Sequence, residues 1–139
     1  MALVLPESIR EEMVTHAREG APAEVCGILA GTRGDGEHRA KERFPAENAA
    51  DRPRTQYEID PREQLELMER VEARGREVVG FYHSHPRGPE GPSATDAAEA
   101  TWPGRSYVIV SLDGDGASVG SWRWTGEEFA EETVRIVEE

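Results

Sequence analysis

The chain contains one cysteine and one lysine, and no apolar stretch approaches the roughly 20 residues that a membrane-spanning helix needs. Cys26 alone cannot close an internal disulfide, which excludes a disulfide scaffold and suits a reducing compartment such as the cytoplasm. The opening MALVLPES has no basic segment and only a short apolar run, so it is not read as a secretory signal. Positive charge is scarce as well. Twenty-eight acidic residues against 16 basic ones leave a net charge of −12, and every basic residue except Lys41 is arginine. Such a surface repels phosphate backbones and excludes general nucleic-acid binding. High acid content with almost no lysine resembles the solvated surface of a halophile's protein; arginine-for-lysine bias from a GC-rich genome is the rival explanation.

At 139 residues the chain has the size of one compact domain, and residues 1–139 are read as a single one. Pro6 to Gly20 reads as a helix, with Ile9, Met13, Val14 and Ala17 at helical spacing and Gly20 and Pro22 at its end. The apolar run 25–30 is a buried strand, and the cluster 31–36 turns the chain into a hairpin partner over 37–48. A polar loop follows over 49–55, then a short strand over 56–59. Pro61 opens a second helix that ends at Gly75, with Leu65, Met68 and Val71 on one face. Strands are expected over 78–82, 107–112 and 117–124, and helices over 93–100 and 127–137. Helices alternate with strands, yet two hairpins interrupt the alternation. The expected fold is therefore α+β, a mixed sheet flanked by helices.

The chemistry concentrates between His83 and Asp96. His83 and His85 stand two apart at a strand end, so their imidazoles point to the same face. Two neutral imidazoles on one face make half of a zinc site. Asp96, in the first turn of the following helix, is the nearest third ligand, because the Pro/Gly-rich loop 87–92 can fold that helix over the strand end. Two histidines, one carboxylate and an open position for water form a hydrolytic zinc site. Each part has a plainer reading. Ser93-Ala94-Thr95-Asp96 has the form of a helix N-cap, and strand-end histidines often bond only to backbone. The two roles of Ser93, cap and site hydroxyl, are compatible. Spacing alone leaves Glu24, Glu90 and Glu99 open as the general base.

His83-Ser84-His85, seven residues beginning with Pro86, then Ser93, two residues and Asp96 reproduce H-[ST]-H-x7-S-x2-D without a gap. Upstream, Glu24 to Gly31 reads E-x-C-G-x-L-x-G. The chain thereby resembles the JAMM (MPN+) metalloprotease family over nearly its whole length, with no departure at a motif position. The resemblance implies an MPN/JAB1 fold, similar to the cytidine deaminase-like three-layer architecture. It implies a Zn2+ ion on His83, His85 and Asp96, with Glu24 as the general base and Ser93 as donor to the oxyanion. Ser84 is a weaker candidate for support behind the ligands, because strand alternation turns it away from them.

The activity so implied is isopeptidase cleavage of a ubiquitin-like modifier with a diglycine C-terminus from lysines or N-terminal amines. Its specific form is a desampylase acting on small archaeal modifiers. The modifier's tail would add a strand beside an exposed sheet edge. The rival within hydrolases is release of cysteine or another small adduct from a sulfur-carrier protein. The rival outside them is a non-catalytic scaffold, against which the intact motif residues argue.

The remaining signals are weaker. Asp113-Gly114-Asp115-Gly116 starts like a calcium loop, but the twelfth position is Trp124, so it is read as a hairpin turn. Cys26 is read as a small buried residue. Trp122 and Trp124 share one strand face and are placed in the core, with a partner surface as the alternative. His16 and His38 are read as ordinary surface or helix residues.

Overall fold

A computed structural model describes residues 1–138. The elements in chain order are β1 (Ala2–Pro6), α1 (Glu7–Gly20), β2 (Cys26–Arg33), β3 (Glu37–Ala46), α2 (Pro61–Ala73), β4 (Glu77–His85), α3 (Ala94–Glu99), β5 (Ser106–Asp113), β6 (Gly116–Trp124) and β7 (Phe129–Val137). The strands lie in the order β1-β3-β2-β4-β5-β6-β7, and β1 pairs with β7 to close the ring. The pairs β1/β3, β1/β7 and β4/β5 are parallel and the others antiparallel, so the sheet is mixed as expected. Each of the seven strands has a neighbour on both sides, but β3 meets β1 only over residues 37–39 and β6 meets β7 only over residues 121–124, so residues 40–46 of β3 and 116–120 of β6 each keep one side of the strand unpaired within the sheet.

The sheet separates two cores. On one face Leu3, Leu5, Leu29, Tyr82, Val108 and Val110 receive Ile9, Met13 and Ala17 of α1. On the other, Ile28, Ala30, Phe44, Phe81 and Tyr107 receive Leu67 and Val71 of α2. Helix, sheet and helix make three layers. Consecutive residues of β2 alternate between the two cores: Ile28 joins the α2 side and Leu29 the α1 side. A register shift between Leu29 and Ala30 opposite β4 lets Val78 and Phe81 share the α2 face. His83 and His85 continue that face, and β4 thus delivers both imidazoles to the end of the sheet beside α3.

Several expectations need correction. Residues 127–137 form no helix; β7 occupies Phe129–Val137. Its inward residue is Glu132, buried, so the apolar alternation that marks a strand is missing. Residues 2–6 form β1, a run too short to register against the helix that follows. Residues 56–59 make no strand, because Asn48 rather than a ladder holds them, as described below. In α2 the buried stripe runs through Leu67 and Val71, while Leu65 is 59% exposed. His38 lies fully buried on β3, not at the surface. The 113–116 turn closes the β5–β6 hairpin, with Gly114 at φ +60°. Cys26 is buried, and burial pushes its thiol up to about 12, an inert packing residue. Trp124 is buried against Phe129, whereas Trp122 is half-buried and reaches toward Gly91 of the loop before α3.

Candidate metal centre and active site

The predicted site residues converge. His83 Nε2 and His85 Nε2 are 3.2 Å apart. Asp96 Oδ1 lies 3.2 Å from His83 Nε2, and Asp96 Oδ2 lies 3.0 Å from His85 Nε2. Ligand atoms on a tetrahedral zinc with bonds of about 2.0–2.1 Å stand about 3.3 Å from each other. The triangle of two nitrogens and one carboxylate therefore has the dimensions of one face of a zinc tetrahedron. One oxygen of Glu24 joins the group, lying within 4.8 Å of a nitrogen on each histidine.

Hydrogen bonding supports the same reading. His85 Nδ1 donates to the Pro89 carbonyl at 2.8 Å. That carbonyl can only accept, so the Nε2 of a neutral His85 presents a lone pair toward the Asp96 carboxylate and His83. A positive charge shared among them, a proton or a metal ion, satisfies facing acceptors of this kind. Glu24 Oε1 and His83 Nδ1 are both buried without a hydrogen-bond partner. The N, N, O donor set, its spacing and the buried unpartnered oxygen beside it fit Zn2+.

The positioning of each group follows from its element. Ser93 caps α3: its Oγ accepts from the Asp96 amide at 3.0 Å, and its own amide donates to Asp96 Oδ2 at 2.8 Å. The cap reading of this segment holds and is compatible with the ligand reading, since the capping box fixes the carboxylate that faces the histidines. The Ser93 hydroxyl proton stays free to point into the site. Glu24 sits just ahead of β2, its amide bonded to the Pro53 carbonyl at 2.7 Å. Ser84 faces away from the histidines, as strand alternation requires. Its Oγ accepts from the Val25 amide at 2.8 Å while its own amide donates to the Val25 carbonyl at 3.0 Å. Ser84 therefore fixes the residue beside Glu24, not the metal ligands. Glu90 and Glu99 are exposed and outside the cluster.

Burial and charge set the titration of these groups. Burial raises Glu24 to about 7, against a downward pull from His85. Burial lowers His83, outweighing its bond to Asp96. On Asp96 burial acts upward, but the two imidazoles prevail and hold its carboxyl well below the usual carboxylate range. The group is built around an ionised Asp96 and a Glu24 that can carry a proton near neutrality.

Two supporting residues carry no spacing signal. Tyr57 stacks on His83, ring centroids 4.3 Å apart at 19°. Asn48 Nδ2 donates to the Glu24 and Gln56 carbonyls, each at 2.9 Å, and its Oδ1 accepts from the Ala50 and Glu58 amides. One amide side chain thus shapes the loop 49–58 and ties it to the catalytic strand. Two cavities lie near this region, and residues of the cluster line only the larger. One, of about 130 Å3, is lined by Tyr57, Phe81, Trp102 and Tyr107. The other, of about 410 Å3, is lined by Glu24, His85 and Ser93 together with Arg54 and Arg87.

Comparison with known proteins decides the family. Residues 6–125 match the family of prokaryotic homologues of the JAB domain. The chain belongs to the prokaryotic JAB family. It is 45% identical over 139 residues to a desampylase of Haloferax volcanii, with 96% of each chain covered. It is 37% identical to a CysO-cysteine peptidase of Mycobacterium tuberculosis, covering 99% of this chain and 92% of that one. A solution structure from Desulfitobacterium hafniense superposes with a TM-score of 0.89 at 33% identity, covering 99% of this chain and 94% of its own. The JAMM resemblance read from the motifs and the mixed α+β fold are both borne out. No helix among the described residues is long and apolar enough to cross a membrane.

Proposed function

We propose that this JAB-family peptidase is a zinc-dependent isopeptidase that hydrolyses the bond between the C-terminal glycine of a ubiquitin-like modifier and a lysine or N-terminal amine. The observation that carries the reading is the convergence of His83, His85 and Asp96 beside a buried, unpartnered Glu24 oxygen. The relatives named desampylase and CysO-cysteine peptidase support peptidase chemistry at such a site.

His83, His85 and Asp96 would hold the zinc, which when bound acidifies water and polarises a carbonyl. Glu24 takes the proton from the attacking water and returns it to the leaving amine. Ser93 donates its free hydroxyl proton to the oxygen of the tetrahedral intermediate. Tyr57 and the Pro89 carbonyl keep the two imidazoles from rotating. The cavity lined by Glu24, His85 and Ser93 receives the modifier's C-terminal residues. A diglycine terminus suits it, because residues without side chains let the substrate backbone approach the ligands closely. A reducing cytoplasm suits the single, buried thiol of Cys26, and the acidic surface leads us to expect activity in molar salt.

The test is cleavage of an isopeptide-linked, diglycine-tailed modifier at low and molar salt, with and without a zinc chelator. Chelator-sensitive release of intact modifier is the expected result. No release under any condition from protein with zinc confirmed bound would overturn the proposal.

A further inference from the structure

The cavity that holds the cluster inverts the charge of the molecule around it. Arg54, from the loop 49–58, and Arg87, from the loop between β4 and α3, line it from two separate segments, and Glu24 is the one carboxylate on its wall. Two cations thus outnumber the acid in a chain whose net charge is −12. Both arginines are exposed, and among the described residues no acceptor pairs with either guanidinium. Other exposed arginines meet acids: Arg39 and Arg135 bond Glu37, and Arg74 bonds Glu42. Two guanidiniums left free beside a reaction centre draw an anion to it.

The backbone under each guanidinium is fixed. The Arg52 carbonyl accepts the Thr55 amide at 3.1 Å and the Gln56 amide at 3.0 Å, which closes a turn around Arg54. The Gly88 amide donates to the His85 carbonyl at 3.1 Å, and the Pro89 carbonyl accepts from His85 and Ser111, which brackets Arg87. Only the arginine side chains are left to adjust, so part of the ordering cost of an ion pair is met in advance. Guanidinium groups bind carboxylates through paired N–H donors. A diglycine end brings no side chain to this cavity; the first side chains arrive on the residues just before it. A volume of about 410 Å3 has room for those residues as well. The tail is also the part that every conjugate of one modifier shares, whereas the target around the lysine differs each time.

From this geometry we infer that Arg54 and Arg87 read the modifier rather than its target: they pair with an acidic side chain among the residues that directly precede the diglycine, and so select modifiers with an acidic tail. The inference rests on the isopeptidase reading above and adds the residues that choose the modifier. A basic residue at the same place meets two like charges; an uncharged one leaves both guanidiniums in water and gains nothing.

The test uses one diglycine-ended modifier, isopeptide-linked to a lysine peptide, in versions that carry glutamate, glutamine or lysine at the three positions before the diglycine. The assay runs at the lowest salt that supports activity, where ion pairs are least screened. The zinc-loaded wild type is expected to cleave the glutamate version about 5- to 30-fold faster than the glutamine version in kcat/KM, the range two partly exposed ion pairs supply together, and the lysine version slowest. Arg54→Gln and Arg87→Gln should each shrink that ratio, and the double variant should bring it near one. The double charge reversal, Arg54→Glu with Arg87→Glu, should invert it in favour of the lysine version, which loss of structure cannot do. Equal rates for the glutamate and glutamine versions in wild type, or a preference that survives the double glutamine substitution, overturns the inference and leaves the isopeptidase reading intact. No cleavage of any version by the zinc-loaded protein sinks that reading instead. Titration calorimetry with free diglycine-ended tail peptides then decides the subsite, with equal affinity for the glutamate and glutamine peptides overturning it.

Discussion

The polar groups buried around Glu132 and those around His83 contain the same chemistry, carboxylate, histidine and serine, yet only the first set closes on itself. Glu132 Oε2 accepts from Ser106 at 2.6 Å and Ser121 at 2.7 Å, and Oε1 accepts from Arg123 at 2.6 Å. His38 Nδ1 donates to Ser106, and His38 Nε2 accepts from Arg33. Nearly every donor there meets an acceptor, Arg123 Nε being the exception. Around His83, two imidazole nitrogens and a carboxylate converge on one point, and Glu24 Oε1 and His83 Nδ1 have no hydrogen-bond partner among the described residues. A satisfied buried network holds strands together; an unsatisfied one is arranged for a species from outside. The first cluster joins β2, β3, β5, β6 and β7. The second lies where β4, α3 and the end of the sheet meet.

Substitutions separate the two clusters, and the largest effect belongs to the open one. Glu24→Gln should lose about 10²–10⁴-fold in turnover while metal content and urea midpoint stay at wild-type values, because the carboxylate moves a proton and holds no strand. A wild-type rate would assign the base elsewhere. Glu132→Ala should do the reverse. It strands the Arg123 cation in the interior and costs about 3–5 kcal/mol in chemical denaturation, with zinc affinity of the folded fraction unchanged.

The third effect is a pH dependence of the closed cluster. Burial, with Arg123 close by, lowers His38 to about 4 from an unfolded value near 6.5. Between these values the unfolded chain binds a proton that the folded chain refuses. Stability from this group is therefore full above pH 6.5 and is lost as pH falls toward 4. Lowering the pH from 8 to 5 should cost about 2 kcal/mol in wild type that His38→Gln does not lose, read from urea midpoints of both proteins. Identical slopes would show that His38 does not titrate as described.

The smallest effect concerns support of a ligand. Ser111 donates to the Pro89 carbonyl at 3.0 Å, the same oxygen that orients His85. Ser111→Ala should weaken zinc binding by about tenfold, measured by competition with a chelator, and leave Glu132-dependent stability alone.

The open cluster was legible in the sequence and the closed one was not, for a physical reason. The residues of the open cluster obey local geometry: His83 and His85 share a face because strands alternate, and Asp96 arrives because Ser93 caps α3. The closed cluster draws on residues 33–132, and such pairing leaves no periodic mark. Glu132 also disguised its own strand, since an inward glutamate among Glu131, Thr133 and Arg135 reads as an exposed helix. The same holds for Asn48 and Tyr57. Their contacts to Glu24 and His83 depend on how the loop 49–58 returns to the sheet.

The contrast between the clusters turns on one property, that the His83 group is completed by a metal. Zinc titration of chelator-stripped protein, followed by calorimetry, tests it directly. The account predicts one zinc per chain in wild type and in Glu132→Ala, and loss of that binding in both His85→Ala and Asp96→Ala. Zinc binding that survives both of these substitutions, or no zinc binding by the wild-type chain, would contradict it.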